Sequence, residues 1–364
     1  MLSGVFYYGR NQNFANFALN EELKTMKHYL FSIFTALMFV ALPELAAAQE
    51  DVAYWGKEEA YLLRQAKYMY ELVDEALTEF PPAVGAPTER RLALYNLDAM
   101  LHETKYDNTE PFKSFVSSRV GKVIEDMRQP VKKGMKIYKI YNDGFVARTK
   151  SVTIAFDVVR GALKGESIVS EEMISTIVDQ CDVLFLTHNH DDHVDRFVVD
   201  RFIAAGKPVV AASEILKDVK GVTHYRSETD ILDRVVELKS GERLKVKIYP
   251  GHQSEMMCNV YAVTTPDGMT VAHTGDQYNK EDFAWINTVK DQKPAIDALI
   301  INCWSMDIAE AIKGFNPRYV LTGHENEMGH TIDHREAFWL TFQKLQSVTH
   351  DYVVMAWGEW FSFK

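Results

Sequence analysis

The chain has 364 residues, 47% hydrophobic and 25% charged, ordinary globular composition with ample material for a core. That length holds one large α/β domain with an appendage, or two domains. The net charge of -11 argues against nucleic acid as the main partner, since a phosphate backbone calls for a basic footprint.

The N-terminus reads as a targeting segment. Lys27 and His28 precede an apolar run, Tyr29 to Leu42, and Ala46-Ala47-Ala48 follow. A positive start, a short apolar stretch and small residues are the parts of a secretory signal peptide. The run is short for a membrane span. The reading is therefore an upstream segment at 1–25 that precedes the true start at Met26, a signal peptide at 26–48 cleaved after Ala48, and a secreted or periplasmic product with no stable membrane anchor. Cys181, Cys258 and Cys303 have no paired spacing, and small buried hydrophobes are the reading preferred for them.

Residues 49–130 carry a helical pattern. Leu62, Ala66, Met69, Val73 and Leu77 keep three-to-four spacing, and Pro81-Pro82 stops that helix. A second helix runs from about Thr88 to Leu101, and a third from near Pro111 to before Pro130. They predict an N-terminal helical appendage packed on a main domain at 131–364. Its aromatics, Tyr54, Trp55, Tyr61, Tyr68 and Tyr70, make a homo-oligomer through this segment an open option.

From Met135 the period changes to two. Strands are expected at 135–141, 145–149 and 152–156, with Asn142-Asp143-Gly144 as a turn. A helix follows at 170–180, then the apolar strand Val183 to Leu186. That strand stops at His188-Asn-His190-Asp191-Asp192-His193-Val-Asp195, a turn with three histidines and three aspartates. Such a loop at the end of a sheet is where chemistry is expected. Its imidazoles and carboxylates can surround cations at about 2.0–2.2 Å. A solvated, His-rich turn is the bland alternative, and the ligand density disfavours it. Further on come a helix at 196–205, a strand at 208–211, and a strand 244–249 ending in Pro250-Gly251-His252. A hairpin over 259–272 leads into His273-Thr-Gly275-Asp276. A strand at 296–302, a helix at 308–313, a strand 319–322 ending in Gly323-His324, a helix at 333–345 and a strand at 352–356 complete the chain.

Strand-like runs thus end repeatedly in metal-ligand types: Asp157, the 188–193 cluster, His252, Asp276 and His324. One such end is usually a cap; a series implies delivery of ligands to one sheet edge. Three imidazoles could form one position, and two imidazoles with carboxylates a second.

The order His188-x-His190-x-Asp192-His193, His252, Asp276, His324 resembles the metallo-β-lactamase-fold hydrolase superfamily. The phrases Leu186-Thr-His188-Asn-His190, Asp267-Gly-Met-Thr-Val-Ala-His-Thr-Gly-Asp276, Pro317-Arg-Tyr-Val-Leu-Thr-Gly-His324 and Trp357-Gly358-Glu359 resemble its ascorbate-6-phosphate lactonase / N-acylphosphatidylethanolamine phospholipase D-like branch. The resemblance implies an α/β, αββα sandwich. It implies His188, His190 and His252 on one metal, Asp192, His193 and His324 on the other, Asp276 bridging, and Asp157 supporting. Asp191 and His273 depart from that branch, which bears on the substrate rather than on the ligands. The implied cofactors are two divalent ions, with zinc favoured and manganese or iron open. The implied activity is hydrolysis of a small ester, lactone or phosphodiester by a metal-bound hydroxide. His330 and Tyr278 are the candidate proton donors to the leaving group. A β-lactamase, or a metal-binding sensor without turnover, is the alternative.

Overall fold

The computed structural model describes residues 56–364, apart from Tyr106, Asn108 and Met306. The upstream segment, signal peptide and cleavage site expected within 1–48 lie outside the described residues. No helix among the described residues is long and apolar enough to cross a membrane.

Three helices come first: α1 (Glu58–Glu79), α2 (Thr88–Leu101) and α3 (Glu110–Met127). The next elements are β1 (Met135–Tyr141), β2 (Gly144–Arg148), β3 (Thr153–Phe156), the small hairpin β4 (Ala162–Leu163) and β5 (Glu166–Ser167), and α4 (Glu171–Gln180). Then follow β6 (Val183–Leu186), α5 (Arg196–Ala204), β7 (Val209–Ala212), β8 (Val222–Tyr225) and β9 (Leu232–Glu237). The long pair β10 (Arg243–Gln253) and β11 (Met256–Thr264) leads to β12 (Thr270–His273), α6 (Phe283–Val289) and β13 (Ala298–Asn302). Last come α7 (Ile308–Phe315), β14 (Tyr319–Gly323), α8 (Phe338–Lys344), β15 (Asp351–Val353) and β16 (Glu359–Phe363).

The strands make two seven-stranded sheets, ordered β16-β1-β2-β3-β6-β7-β8 and β15-β14-β13-β12-β11-β10-β9. Each sheet is antiparallel on one side and parallel on the other. The parallel strands β3, β6, β7 and β13 are buried along their whole length. Apolar residues on both faces explain why they read as continuous runs.

One core lies between the sheets, where Ile137, Phe145, Phe156 and Phe185 meet Val246, Ile248, Tyr261 and Ile300. Helices cover the outer faces. On the first sheet, α3 lies against β1 and β16 and α5 against β6 and β7, while α7 lies on β13 of the second sheet. The architecture is the expected α/β, αββα sandwich. Local signals set the helix starts. Ser170 Oγ accepts from Met173 N (3.2 Å) at α4, and an Asp195 carboxylate oxygen accepts from Phe197 N (2.9 Å) at α5.

Leu62–Lys364 forms one compact unit. Within it, Tyr70 on α1 contacts Phe115 on α3 with ring centroids 5.0 Å apart, and Phe112 meets Trp357 at 6.4 Å. Trp357 in turn lies 4.8 Å from Tyr141. Beneath these rings the Glu359 carboxylate accepts from Arg90 (2.5 and 3.0 Å), from Arg119 (2.9 Å) and from Ala356 N (2.8 Å). Arg119 also donates to Asp74 (2.7 Å) and to Trp357 O (2.8 Å). The terminal Trp-Gly-Glu phrase therefore joins the N-terminal helices to the sheet. Tyr70 is 4% exposed and Tyr68 60%, so only part of the aromatic group packs inward.

Two expectations are corrected. The strand expected to stop at Tyr249 continues through Gln253, with Pro250 opposite Asn259, so His252 sits within β10. The helix expected over 333–345 is broken: residues 332–334 form a 3₁₀ turn and α8 starts only at Phe338. The break follows from a remote cap, because the Asp98 carboxylate on α2 accepts from Phe338 N (2.9 Å) and Trp339 N (3.0 Å). All three cysteines are free and buried, as preferred from the sequence.

Candidate metal centre

The site lies beyond the carboxyl ends of the parallel strands, where open α/β sheets place their ligands. β3 ends at Asp157, β6 at Thr187-His188, β12 at Thr274-Gly275-Asp276, β13 at Asn302 and β14 at His324. The β1–β2 turn inserts Asn142 and Asp143 from the side. Asp157 (φ 44°) and His324 (φ 73°) both adopt left-handed backbone. Such conformations persist where surrounding contacts impose them, often at functional sites.

Asp276 stands at the centre. Its Oδ2 is 3.5 Å from His188 Nε2 and 3.6 Å from His324 Nε2, and its Oδ1 is 3.3 Å from His193 Nε2. Its carboxylate also accepts from Asn302 Nδ2 (3.0 Å) and Gln253 Nε2 (3.1 Å). On one side, His188 Nε2 lies 3.1 Å from His190 Nδ1. On the other, Asp192 Oδ2 lies 3.0 Å from His324 Nε2 and 3.6 Å from His193 Nε2. Two donor groups result, His188–His190–Asp276 and Asp192–His193–His324, each with ligand atoms within 4.8 Å of one another.

Neighbours fix the rings. Asp157 Oδ2 takes His193 Nδ1 at 2.9 Å, which turns Nε2 into the site. Asp157 is itself held by Thr187 N (2.9 Å) and Thr187 Oγ1 (2.5 Å). It thus has the supporting position that the resemblance implies. Gly275 allows the close approach: its φ is 50°, and a Cβ there would lie 2.3 Å from Thr187 Oγ1.

The electrostatics ask for positive charge at the centre. Burial would raise the Asp276 carboxyl, but His324 and His193 hold it well below the usual carboxylate range. Burial would likewise depress His324, yet Asp276 and Asp192 bring it up to about 9. His193 is also pushed well above its ordinary value, Asp276 and Asp192 outweighing burial. A divalent cation supplies the same compensation without protonating the rings. The donor set fits one: imidazoles and carboxylates converge, and His193 Nε2 is buried with no hydrogen-bond partner.

The other expected residues fall at the margins. His252 lies outside the groups of converging ligand atoms found among the described residues. Its Nδ1 is 2.8 Å from Asp282 Oδ1, and its backbone N donates to Asp282 Oδ2 (2.8 Å). That carboxylate–imidazole pairing is the arrangement of an oriented metal ligand, with Nε2 left free of it. Replacing Asp282 by Asn is expected to weaken metal binding by about 10–100-fold, measured by calorimetric titration of chelator-treated protein. His330 Nε2 is 3.8 Å from Asp192 Oδ2, and its ring stacks on His324 with centroids 5.5 Å apart. Tyr278 is turned toward the β10–β11 tip, its hydroxyl 2.5 Å from Ser254 Oγ.

Sequence reasoning missed Asn142, Asp143, Gln253, Asp282 and Asn302. Asn142 Nδ2 contacts Asp192 Oδ2 at 3.2 Å. Lys139 and Glu325, fully buried, form an ion pair beside the His324 loop, where Lys139 Nζ also donates to Thr322 O (3.2 Å). Only the Asn142-Asp143-Gly144 turn carried any signal, as a hairpin. His273 is explained: its Nδ1 accepts from Gly275 N (3.0 Å), its Nε2 meets Asp143 O (3.0 Å), and its ring stacks on Phe156. It braces the Asp276 loop.

A cavity of about 670 Å³ opens beside Asp192, with Arg160, Glu166, Asp191, Glu327 and His330 among its lining residues. Arg160 is held by Asp195 (2.8 and 3.0 Å). Glu327 is buried in the wall, and its carboxyl is raised to about 7, chiefly by burial and then by Asp192.

No family model and no curated protein matches the chain. Solved structures do. A novel metallo hydrolase from the hyperthermophilic archaeon Ignicoccus hospitalis is 19% identical, over 64% of this chain and 100% of that one, with a TM-score of 0.46. A possible metal-dependent hydrolase from Veillonella parvula is 15% identical over 64% and 100% of the two chains, with a TM-score of 0.47. An isothiocyanate hydrolase from Delia radicum gut bacteria is 14% identical over 63% and 99%, with a TM-score of 0.44.

Proposed function

We propose that the protein is a metal-dependent hydrolase with a two-ion centre, exported to the periplasm or beyond, acting on a small ester, lactone or phosphodiester. The observation that carries this reading is the convergence of His188, His190 and Asp276, and of Asp192, His193 and His324, into two adjoining donor groups beside a cavity. Divalent ions, when bound there, supply an acidified water and polarise the electrophile. His188, His190 and Asp276 would hold one ion, with His252 completing the set, and Asp192, His193, His324 and Asp276 the other. Zinc is the ion favoured by the imidazole content, with manganese or iron as alternatives.

The chain's own groups do the rest. Asp157, Thr187 and Asp282 fix the imidazoles before substrate arrives, and Asn302 and Gln253 fix Asp276. His330, on the cavity wall next to Asp192, is the better placed of the two candidate proton donors. The cavity volume is in the range of small-molecule sites, which supports a small substrate over a polymer. The resemblance of the sequence phrases to the lactonase and phospholipase D-like branch supports the ester, lactone and phosphodiester classes over a β-lactam.

The test is a panel of ester, lactone, phosphodiester and β-lactam substrates with metal-loaded and chelator-treated protein. Hydrolysis of one of the first three classes, lost on chelation and restored by metal, is expected. Loaded protein that turns over only the β-lactam, or none of the panel, contradicts the proposal.

A further inference from the structure

Asp143 is a buried carboxylate at the site that the proposed ligand set leaves without a role. It sits in the β1–β2 turn, is 1% exposed, and neither carboxylate oxygen has a hydrogen-bond partner. An unpaired buried carboxylate costs several kcal/mol, so something must compensate it. His273 is the nearest titratable ring, at 3.7 Å from Oδ2. Yet its Nδ1 accepts a hydrogen bond from Gly275 N–H, and its Nε2 points at the Asp143 backbone oxygen (3.0 Å). Both ring nitrogens are thus engaged by the backbone rather than by the carboxylate.

The surroundings are shaped to the carboxylate. Gly323 immediately precedes His324, and a Cβ there would lie 1.7 Å from Asp143 Oδ1. The adjoining Asn142 reaches Asp192. Asp143, His193 and Asp276 have ligand atoms within 4.8 Å of one another, all three buried. His193 Nε2 also lacks a hydrogen-bond partner. Two orphaned buried groups from different elements thus face one point next to Asp276.

We propose that Asp143 is a further ligand of the ion held by His193 and Asp276. This rests on the metal-centre reading and deepens it. The position then has three carboxylates, Asp143, Asp192 and Asp276, with two imidazoles, whereas the other is dominated by imidazoles. Oxygen donors suit harder ions such as manganese, so the two positions differ in preference.

The test is calorimetric titration of chelator-treated protein with Mn²⁺, wild type against Asp143→Asn, with bound ions counted by elemental analysis. One ion should bind at least ~10-fold more weakly in the variant while the other is unchanged. Equal affinities and equal counts overturn the assignment of Asp143. Wild type that binds no ion overturns the metal-centre reading instead. Wild-type crystals soaked in Mn²⁺ give an answer even if the variant does not fold. An Asp143 oxygen within about 2.0–2.4 Å of the ion is expected, and one beyond that distance refutes the assignment.

Discussion

Replacing Glu359 by Ala is expected to destabilise the protein by about 3–5 kcal/mol, read as a lower urea midpoint at neutral pH. The cause is the two guanidinium groups it leaves behind. Arg90 and Arg119 are buried, and both pair with this carboxylate. Removing it leaves Arg90 in the interior without its carboxylate and Arg119 with Asp74 alone, which costs far more than the pair contributes. The same residue gives a pH signature. Burial would raise its carboxyl, but Arg90 and then Arg119 hold it below the usual glutamate value. A group with a depressed folded-state pKa adds stability above its unfolded pKa, and loses it as pH falls through the folded one. Wild type should therefore lose stability with acid below the ordinary glutamate range. Glu359→Ala should show less of that acid-dependent loss. An unchanged urea midpoint would refute the clamp.

The second large effect concerns the centre itself. Asp192→Asn and His193→Ala are each expected to lower turnover by more than ~100-fold, since loss of outer partners alone costs 10–100-fold in such sites. The fold should persist, because both side chains lie in the turn after β6 rather than in a strand or helix. Circular dichroism checks the fold, and turnover of the substrate found by the panel checks the activity. Full activity in either variant would refute the two-ion mechanism.

Much of this was legible in the sequence because parallel strands are buried on both faces. Val183 to Leu186 reads as a short buried strand, which puts the His-rich turn after it at the end of a sheet. The same logic exposed Asp276 and His324. The strands β8 and β9 escaped because they have little buried surface: Val222–Tyr225 is only half-buried, and Leu232–Glu237 is an edge strand exposed along most of its length. β16 and the Asp98 cap escaped for another reason. Glu359 meets Arg90 across 269 positions, and Asp98 meets Phe338 across 240. No local periodicity encodes such pairings. The residues that orient the ligands, Asp282 and Asn302 among them, were hidden likewise, because a lone carboxylate or amide has no spacing to betray it.

The central claim is the metal centre, and elemental analysis of protein purified without chelators tests it most directly. Close to two transition-metal ions per chain is the predicted result; protein that is folded yet carries none, and takes up none on incubation with zinc, manganese or iron, would contradict it.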